Sequence, residues 1–513
     1  MSGGVECLEM MEEKRVTNAL TFRSISAMLF AIFVIQPVII YFNLLTNETL
    51  PLQAWIVILL WAELSRFFGS PLSIQEIFVL TAFGGMVTNY ALVFRNSIFY
   101  MYLVTSPTVK IHGIDRLIPP WWAPTPDVSK NLIQAGSGQW IFLNSSWLLP
   151  ILVTIVIPTA LDMIAKISIG FFCYQRYVLM ERLDFPAASA QANTIRTLAE
   201  REPYSIRILA VSATGGLLFN LLTSFIPFII GPFLSGAITT VGVYRLVDFT
   251  PFLAQILPGA GFSISGDLLL YLTGFLMPIN ICLAMFIGAI SINFFGTYAI
   301  TRLNLWPPEA QASTITSWSV TTLLSQAHLY FLGNVWIGLA IAASILPLIT
   351  RPKSLISIFG VSRKGIESQF EKSEGKLYFW LGLFLASTVA SVLFVEILVG
   401  FRFPIWILLF YTVLWSFFAS LVTTQAAGVT YAGLGIPYQR ELLIYSSGYR
   451  DRDIWFAPVQ LFVGGSEIAQ SFRIADICLT KHRDYIKAYV IVVVLGLLSS
   501  FFYTSLFWFI QPM

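Results

Sequence analysis

Between Thr21 and Ile510 the chain returns repeatedly to apolar runs near or above the ~20 residues that cross the hydrocarbon core of a bilayer. No water reaches backbone N–H and C=O groups there, so a spanning segment must be an α-helix or a strand of a closed barrel. Barrel strands show as ~10-residue alternating segments, and the apolar pattern here has none. Only 11% of the 513 residues are charged, whereas a soluble domain carries about 25%. The shortfall extends along the whole chain. These features predict an all-α fold: a polytopic integral membrane helical bundle with about 12 to 16 inserted segments, some re-entrant or broken.

A formal net charge of +3 says little in such a chain, where the distribution of Lys and Arg matters more than their sum. It gives no ground for a nucleic-acid partner; the expected surroundings are a lipid bilayer. Cys7, Cys173, Cys282 and Cys478 are scattered, as are His112, His328 and His482. Their spacing suggests neither a disulfide framework nor a metal centre, and no cofactor is expected. Residues 1–20 lack the apolar core of a signal peptide.

The clearer spans fall near 22–45, 51–67, 75–94, 145–172, 208–232, 267–301, 327–350, 377–399, 404–427 and 486–511. Pro278 interrupts 267–301, which reads as a hairpin or a broken helix. Residues 233–260 and 428–466 are apolar but punctuated by Gly, Pro and charge, and read as re-entrant or interfacial pieces. Basic residues cluster before the first span, after the fourth, between 351 and 376, and before the last. The positive-inside tendency then gives a cytoplasmic N-terminal segment at 1–20, an N-terminal bundle at 21–350, a cytoplasmic connection at 351–376 and a C-terminal bundle at 377–513. The Pro- and Trp-rich loop 106–138 and the sequons at Asn47 and Asn144 fall on the outer side. The chain is thus expected in the cell membrane, multi-pass, with its N-terminus in the cytoplasm; a homo-oligomer is compatible with this reading.

Ionisable residues inside spans need an account, because a charge at the bilayer centre costs at least ~2.5–3.5 kcal/mol on insertion scales. Asp162 and Lys166 stand four apart and can neutralise one another on one helix face. Glu76 heads a helix, where the dipole favours its charge. Glu396, in "SVLFVEILVG", has no local partner. Asn89, Arg95 and Asn96 mark a hydrated or non-helical point in the third span. In "ERLDFPAASAQANTIRTLAEREP" Asp184 and Pro186 suit a helix start. Ala188, Ala192, Ile195 and Ala199 then share one face, and Ser189, Asn193 and Arg196 another. That pattern fits a surface helix, or a half-helix whose positive N-terminus points at an anionic group.

The order Leu-x-Phe-Pro, small residues, Thr-Ile and a helix resembles a signature of the oligopeptide transporter superfamily, which includes the yellow stripe-like metal-chelate transporters. Other stretches resemble that family in the same order: "LSIQEIFVLTAFGG", "YLTGFLMPINICLAMFIGAI", "AAGVTYAGLGIPYQRELL" and "GSEIAQSFRIADICLTKHRDYIKAYV". Ala188-Ser189-Ala190 stands where the family has Gly-Thr-Ala, and the Asp-rich motif is thinned to Glu467, Gln470 and Asp476. The resemblance implies a secondary transporter, not an enzyme, importing short peptides or chelated metal by proton-driven alternating access. Candidate substrate contacts are Gln75, Asn89, Pro186, Ser189, Asn193, Gln425, Tyr431 and Gln439; candidate proton-coupling groups are Glu76, Asp162, Glu396 and Asp476. A membrane-embedded hydrolase is the competing class, since "GFSISGD" resembles an intramembrane aspartyl protease motif. The match fails at its first glycine. A channel would need a filter-like repeat, and none is evident.

Overall fold

The computed structural model describes residues 18–46, 54–67, 71–200, 203–222, 246–266, 268–275, 277–307, 318–336, 371–429 and 438–510, with 226, 338–339 and 342. Residues 1–17, most of the connection 351–376, the sequon at Asn47 and Tyr431 lie outside that set. The principal helices are α1 (Phe22–Leu44), α2 (Ala54–Phe67), α3 (Ile74–Thr105), α4 (Ser145–Met180), α5 (Pro186–Glu200), α6 (Pro203–Asn220), α7 (Ile279–Arg302), α8 (Glu371–Val399), α9 (Ile405–Val429), α10 (Gly465–Ile477) and α11 (His482–Ile510). Seven of these, among the described residues, are long and apolar enough to cross a membrane: α1, α3, α4, α7, α8, α9 and α11. The protein is a polytopic helical membrane protein.

Its helices carry their irregularities where the sequence demands them. α3 is interrupted at Leu92 (φ −92°, ψ 0°), between Asn89 and Arg95, at the point those residues mark. Pro278 separates Leu268–Phe275 from α7. Within α1 and α4, π-helical turns at Ala31–Ile35 and Leu152–Val156 come just before Pro37 and Pro158. A proline lacks the N–H its helix needs and collides with the carbonyl four residues back, and the wider turn accommodates both. Widening also frees carbonyls for neighbours. Ser499 and Tyr503 of α11 donate to the Ile32 and Phe33 carbonyls of α1 at 3.0 and 2.9 Å.

The one exception to the all-α expectation is small. Leu246–Asp248 (β1) and Ser263–Ser265 (β2) pair antiparallel, Leu246 opposite Ser265. Asp248 accepts from the amides of Thr250 at 2.8 Å and Val320 at 2.7 Å. The charge that punctuates this apolar stretch caps the helix Val320–Ala327 as well as its own turn.

The main apolar cluster draws on α1, α2, α3, α4, α5, α8, α9, α10 and α11, and so on both sides of the connection 351–376. A second cluster joins the end of α8 (Val392, Val395, Val399) to the start of α9 and to Leu443–Val459. In the loop 106–138, Trp122 stacks on Tyr100 at 4.2 Å and meets Phe456 edge-on at 5.2 Å, which orders it. By contrast α7 buries none of its 18-residue apolar window. Leu283, Met285, Phe286 and Ile287 stand exposed on it, a surface suited to lipid.

α5 and α10, inside the main cluster, are too short to span. At 1.5 Å per residue, α5 and α10 reach roughly 22 and 20 Å, against ~30 Å of hydrocarbon. They pack on each other, α5 also on α3 and α10 also on α4 and α9. α5 follows a tight break in which Arg182 and Phe185 adopt positive φ (53° and 46°). The Phe185 amide there donates to the Gly428 carbonyl of α9 at 3.1 Å. Glycines let α10 approach α4: a Cβ on Gly464 would meet Lys166 Cγ at 2.3 Å, and one on Gly170 would meet Ile468 Cβ at 2.3 Å.

Candidate functional site

The two short helices and the two long ones enclose a half-open cavity of ≈480 Å³. α3 supplies Phe78, Thr81 and Ala82, α4 supplies Lys166, and α5 supplies Gln191. α10 contributes most of the rest, from Gly464 through Ser466, Glu467, Gln470 and Ser471 to Ile474. The volume lies within the ~300–1,000 Å³ typical of small-ligand sites.

Each polar group has a structural reason for its position. Lys166 pairs with Asp162 at 2.8 Å, the two side chains 29% and 22% exposed. The i,i+4 spacing on α4 brings them together, so the ammonium enters the wall already neutralised. On α10 the residues Ser466, Glu467, Gln470 and Ser471 recur at helical spacing and form one polar face. Gln470 Nε2 donates to Ser466 Oγ at 3.1 Å and Ser471 Oγ to the Glu467 carbonyl at 3.0 Å. The first turn of α10 has no side-chain cap. The positive end of its helix dipole lies near Lys166, a setting that favours an anionic group. Glu467, in that same turn, offers the opposite charge. A wall of this kind can bind an amphoteric polar solute.

The residues proposed from sequence are distributed more widely. Gln75 is buried at the start of α3. Asn89 is exposed, and Asn193 lies on the exposed side of α5. Pro186 is the first residue of α5, as the sequence predicts. Ser189 Oγ donates to the Asp184 carbonyl at 3.3 Å, within its own turn. Gln425 is half-buried on α9. Gln439 accepts from Trp415 Nε1 at 2.5 Å. None of these seven lines the cavity, and Tyr431 lies outside the described residues.

The four carboxylates differ sharply. Glu76 closes a capping box with Ser73, accepting from its amide at 2.7 Å. It also accepts from the Thr21 hydroxyl and pairs with Arg23 at 3.2 Å. Asp162 is held by Lys166. Asp476 accepts from Tyr174 at 2.6 Å and lies 3.0 Å from His482 Nε2. Glu396 is 1% exposed, and neither side-chain oxygen has a hydrogen-bond partner among the described residues.

Lys166, Glu467 and Gln470 drew notice in the sequence for an ion-pair spacing and a motif, not as solute contacts. Gln191 and Thr81 stand inside two of the quoted stretches but are not among the candidate contacts. Gln191 is two residues from both Ser189 and Asn193, some 200° around the helix. It borders the Ala188/Ala192/Ile195 stripe that is buried against the bundle. The usable signal was the buried stripe, whose edge is where a cavity-lining polar residue belongs.

Compared with known proteins, the chain matches no family model, no curated protein and no solved structure.

Proposed function

We propose that the protein is a secondary transporter that moves a small amphoteric solute, a short peptide or peptide-like molecule, chemically unchanged through the bundle by alternating access. The observation that carries this reading is the cavity between α3, α4, α5 and α10: two helices too short to span end among long ones, and Lys166 of α4 and Glu467 of α10 present both signs of charge to one space. In this reading the α10 first turn and Lys166 take the solute's carboxylate, Glu467 takes its ammonium, and Gln191 and Gln470 bond its amide groups. The five motifs resembling the oligopeptide transporter superfamily support it. Import would run down the proton gradient of the cell membrane, with the N-terminus in the cytoplasm.

Proteoliposomes holding the full chain test the proposal. Labelled di- to hexapeptides should accumulate under an imposed proton gradient, be recovered intact, and leak back when a protonophore is added. Accumulation of a metal chelate in place of peptides would select the chelate branch of the same resemblance. Downhill flux that never exceeds equilibrium would indicate a channel, and cleaved peptide would indicate an enzyme.

A further inference from the structure

Buried polar groups in folded proteins almost always have partners, so a buried carboxyl without one demands an explanation. On α8 the buried positions Phe384, Thr388, Ser391, Val392, Val395 and Val399 recur at three- and four-residue spacing. Glu396 stands inside that stripe, four residues after Val392 and three before Val399. Both of its oxygens are enclosed and unbonded. Two other buried hydroxyls of α8, Ser387 and Thr388, lie more than two turns earlier and each donate to the Phe384 carbonyl at 2.9 Å.

Among the described residues, the surroundings also show no counter-charge bonded to it. Helix α8 packs against α4, the start of α9 and the turn Asp453–Trp455. Their titratable groups, among the described residues, are Asp162, Lys166, Cys173, Tyr174, Arg176 and Tyr177 on α4, Tyr411 on α9 and Asp453 in the turn; Arg176 pairs with Glu181 at 2.7 Å, and Arg440, beside the same turn, donates to the Trp455 and Ala457 carbonyls at 2.5 and 3.0 Å. Asp162 and Lys166 are bound to each other, Tyr174 bonds Asp476, and Asp453 accepts from the Ile454 amide at 2.8 Å and from Tyr449. Arg402, six residues on, pairs with Asp451 at 3.3 Å on the exposed side. The helix itself adds a further penalty, because Glu396 sits one turn from its C-terminal end, where the dipole is negative. The backbone there closes with the Phe401 amide on the Glu396 carbonyl at 2.8 Å. An ionised carboxylate is disfavoured by burial, by the lack of a partner and by the helix end at once. A metal cation would need several oxygen ligands, and the flanking residues of the stripe are valines.

We propose that Glu396 is the proton-binding group of this protein, a neutral carboxylic acid in the conformation seen here that ionises only when the end of α8 opens to water. The positive φ values at Gly400 (68°) and Phe401 (56°) place a backbone turn immediately beyond it, where α8 could separate from the loop that follows. Glu396 does not line the solute cavity, so its coupling to transport acts through movement of α8 against α4. The coupling part of this inference rests on the transporter reading; the proton itself does not.

The test is an infrared comparison of the full-length protein in nanodiscs with Glu396→Gln. The wild type should show the carbonyl stretch of a protonated acid at neutral pH, persisting into the alkaline range, and the variant should lack it. Should Glu396→Gln fail to fold, Glu396→Leu, matching its valine neighbours, serves the same subtraction. Identical carbonyl regions would mean that Glu396 is ionised and would overturn the proposal. In proteoliposomes, Glu396→Gln should keep solute exchange between equal pools but lose proton-driven accumulation; accumulation at the wild-type level would equally overturn it. If the wild type moves no peptide, the transporter reading fails alone, and the infrared result still decides whether Glu396 holds a proton.

Discussion

The cavity wall and the cluster at the end of α8 both carry carboxyl groups, and they treat them in opposite ways. Around the cavity, charge is paired or open to water: Asp162 has Lys166 at 2.8 Å and Glu467 is exposed to the cleft. Around Glu396 there are valines, a closed helix end and no bonded partner. An ion is cheap in the first setting and expensive in the second. One region is therefore suited to holding a charged solute, the other to taking up and releasing a proton. In the proposed reading, the two tasks of a coupled carrier fall to two sites.

Substitutions should separate the two regions. Lys166→Ala removes the cation of the wall and leaves Asp162 and Glu467 facing each other's field. Solute affinity should fall about 10- to 100-fold, the ~1.5–3 kcal/mol of a hydrogen bond to a charged group, read as a rise in the KM of uptake. Gly170→Ala should destabilise the bundle by about 1–3 kcal/mol through overpacking, because the new methyl would meet Ile468 Cβ, an atom fixed to the backbone; thermal unfolding in detergent reports it. Glu76→Ala opens a capping box and strands the Thr21 and Arg23 contacts, for a loss of about 1–2 kcal/mol in the same assay. Glu396→Leu should change stability least, by less than ~1 kcal/mol and in the stabilising direction if at all, since it replaces an unbonded carboxyl by an apolar group. A large loss on Glu396→Leu would show that this site is bound like Glu76, and the contrast would disappear.

What the sequence revealed followed range. Properties set within one or two turns were legible: the span composition, the α5 start at Pro186, the break beside Asn89, the capping role of Glu76 and the Asp162–Lys166 pair. Glu396 was legible as a residue without a local partner, and among the described residues distant segments supply none. The cavity was not legible, because Thr81, Lys166, Gln191 and the 464–474 face meet only through packing of four separated helices. The same limit hid the Asp476 contact to Tyr174, which spans 302 positions. It also hid the role of Asp248 as a cap for a helix 72 residues away. The polar face of α10 is the instructive case. Its spacing was present in the sequence, but nothing local distinguishes a face turned to a cavity from one turned to water.

Whether the two regions differ in hydration can be measured with single cysteines in a chain whose native cysteines have been replaced. One stands for Ser471 on the cavity wall, the other for Ser391 on the buried stripe of α8. A membrane-impermeant thiosulfonate should modify the cysteine at 471, peptide should slow that reaction, and the cysteine at 391 should stay unmodified under the same conditions. Equal reactivity at both positions, or a silent cysteine at 471, would contradict a water-filled solute site between α5 and α10.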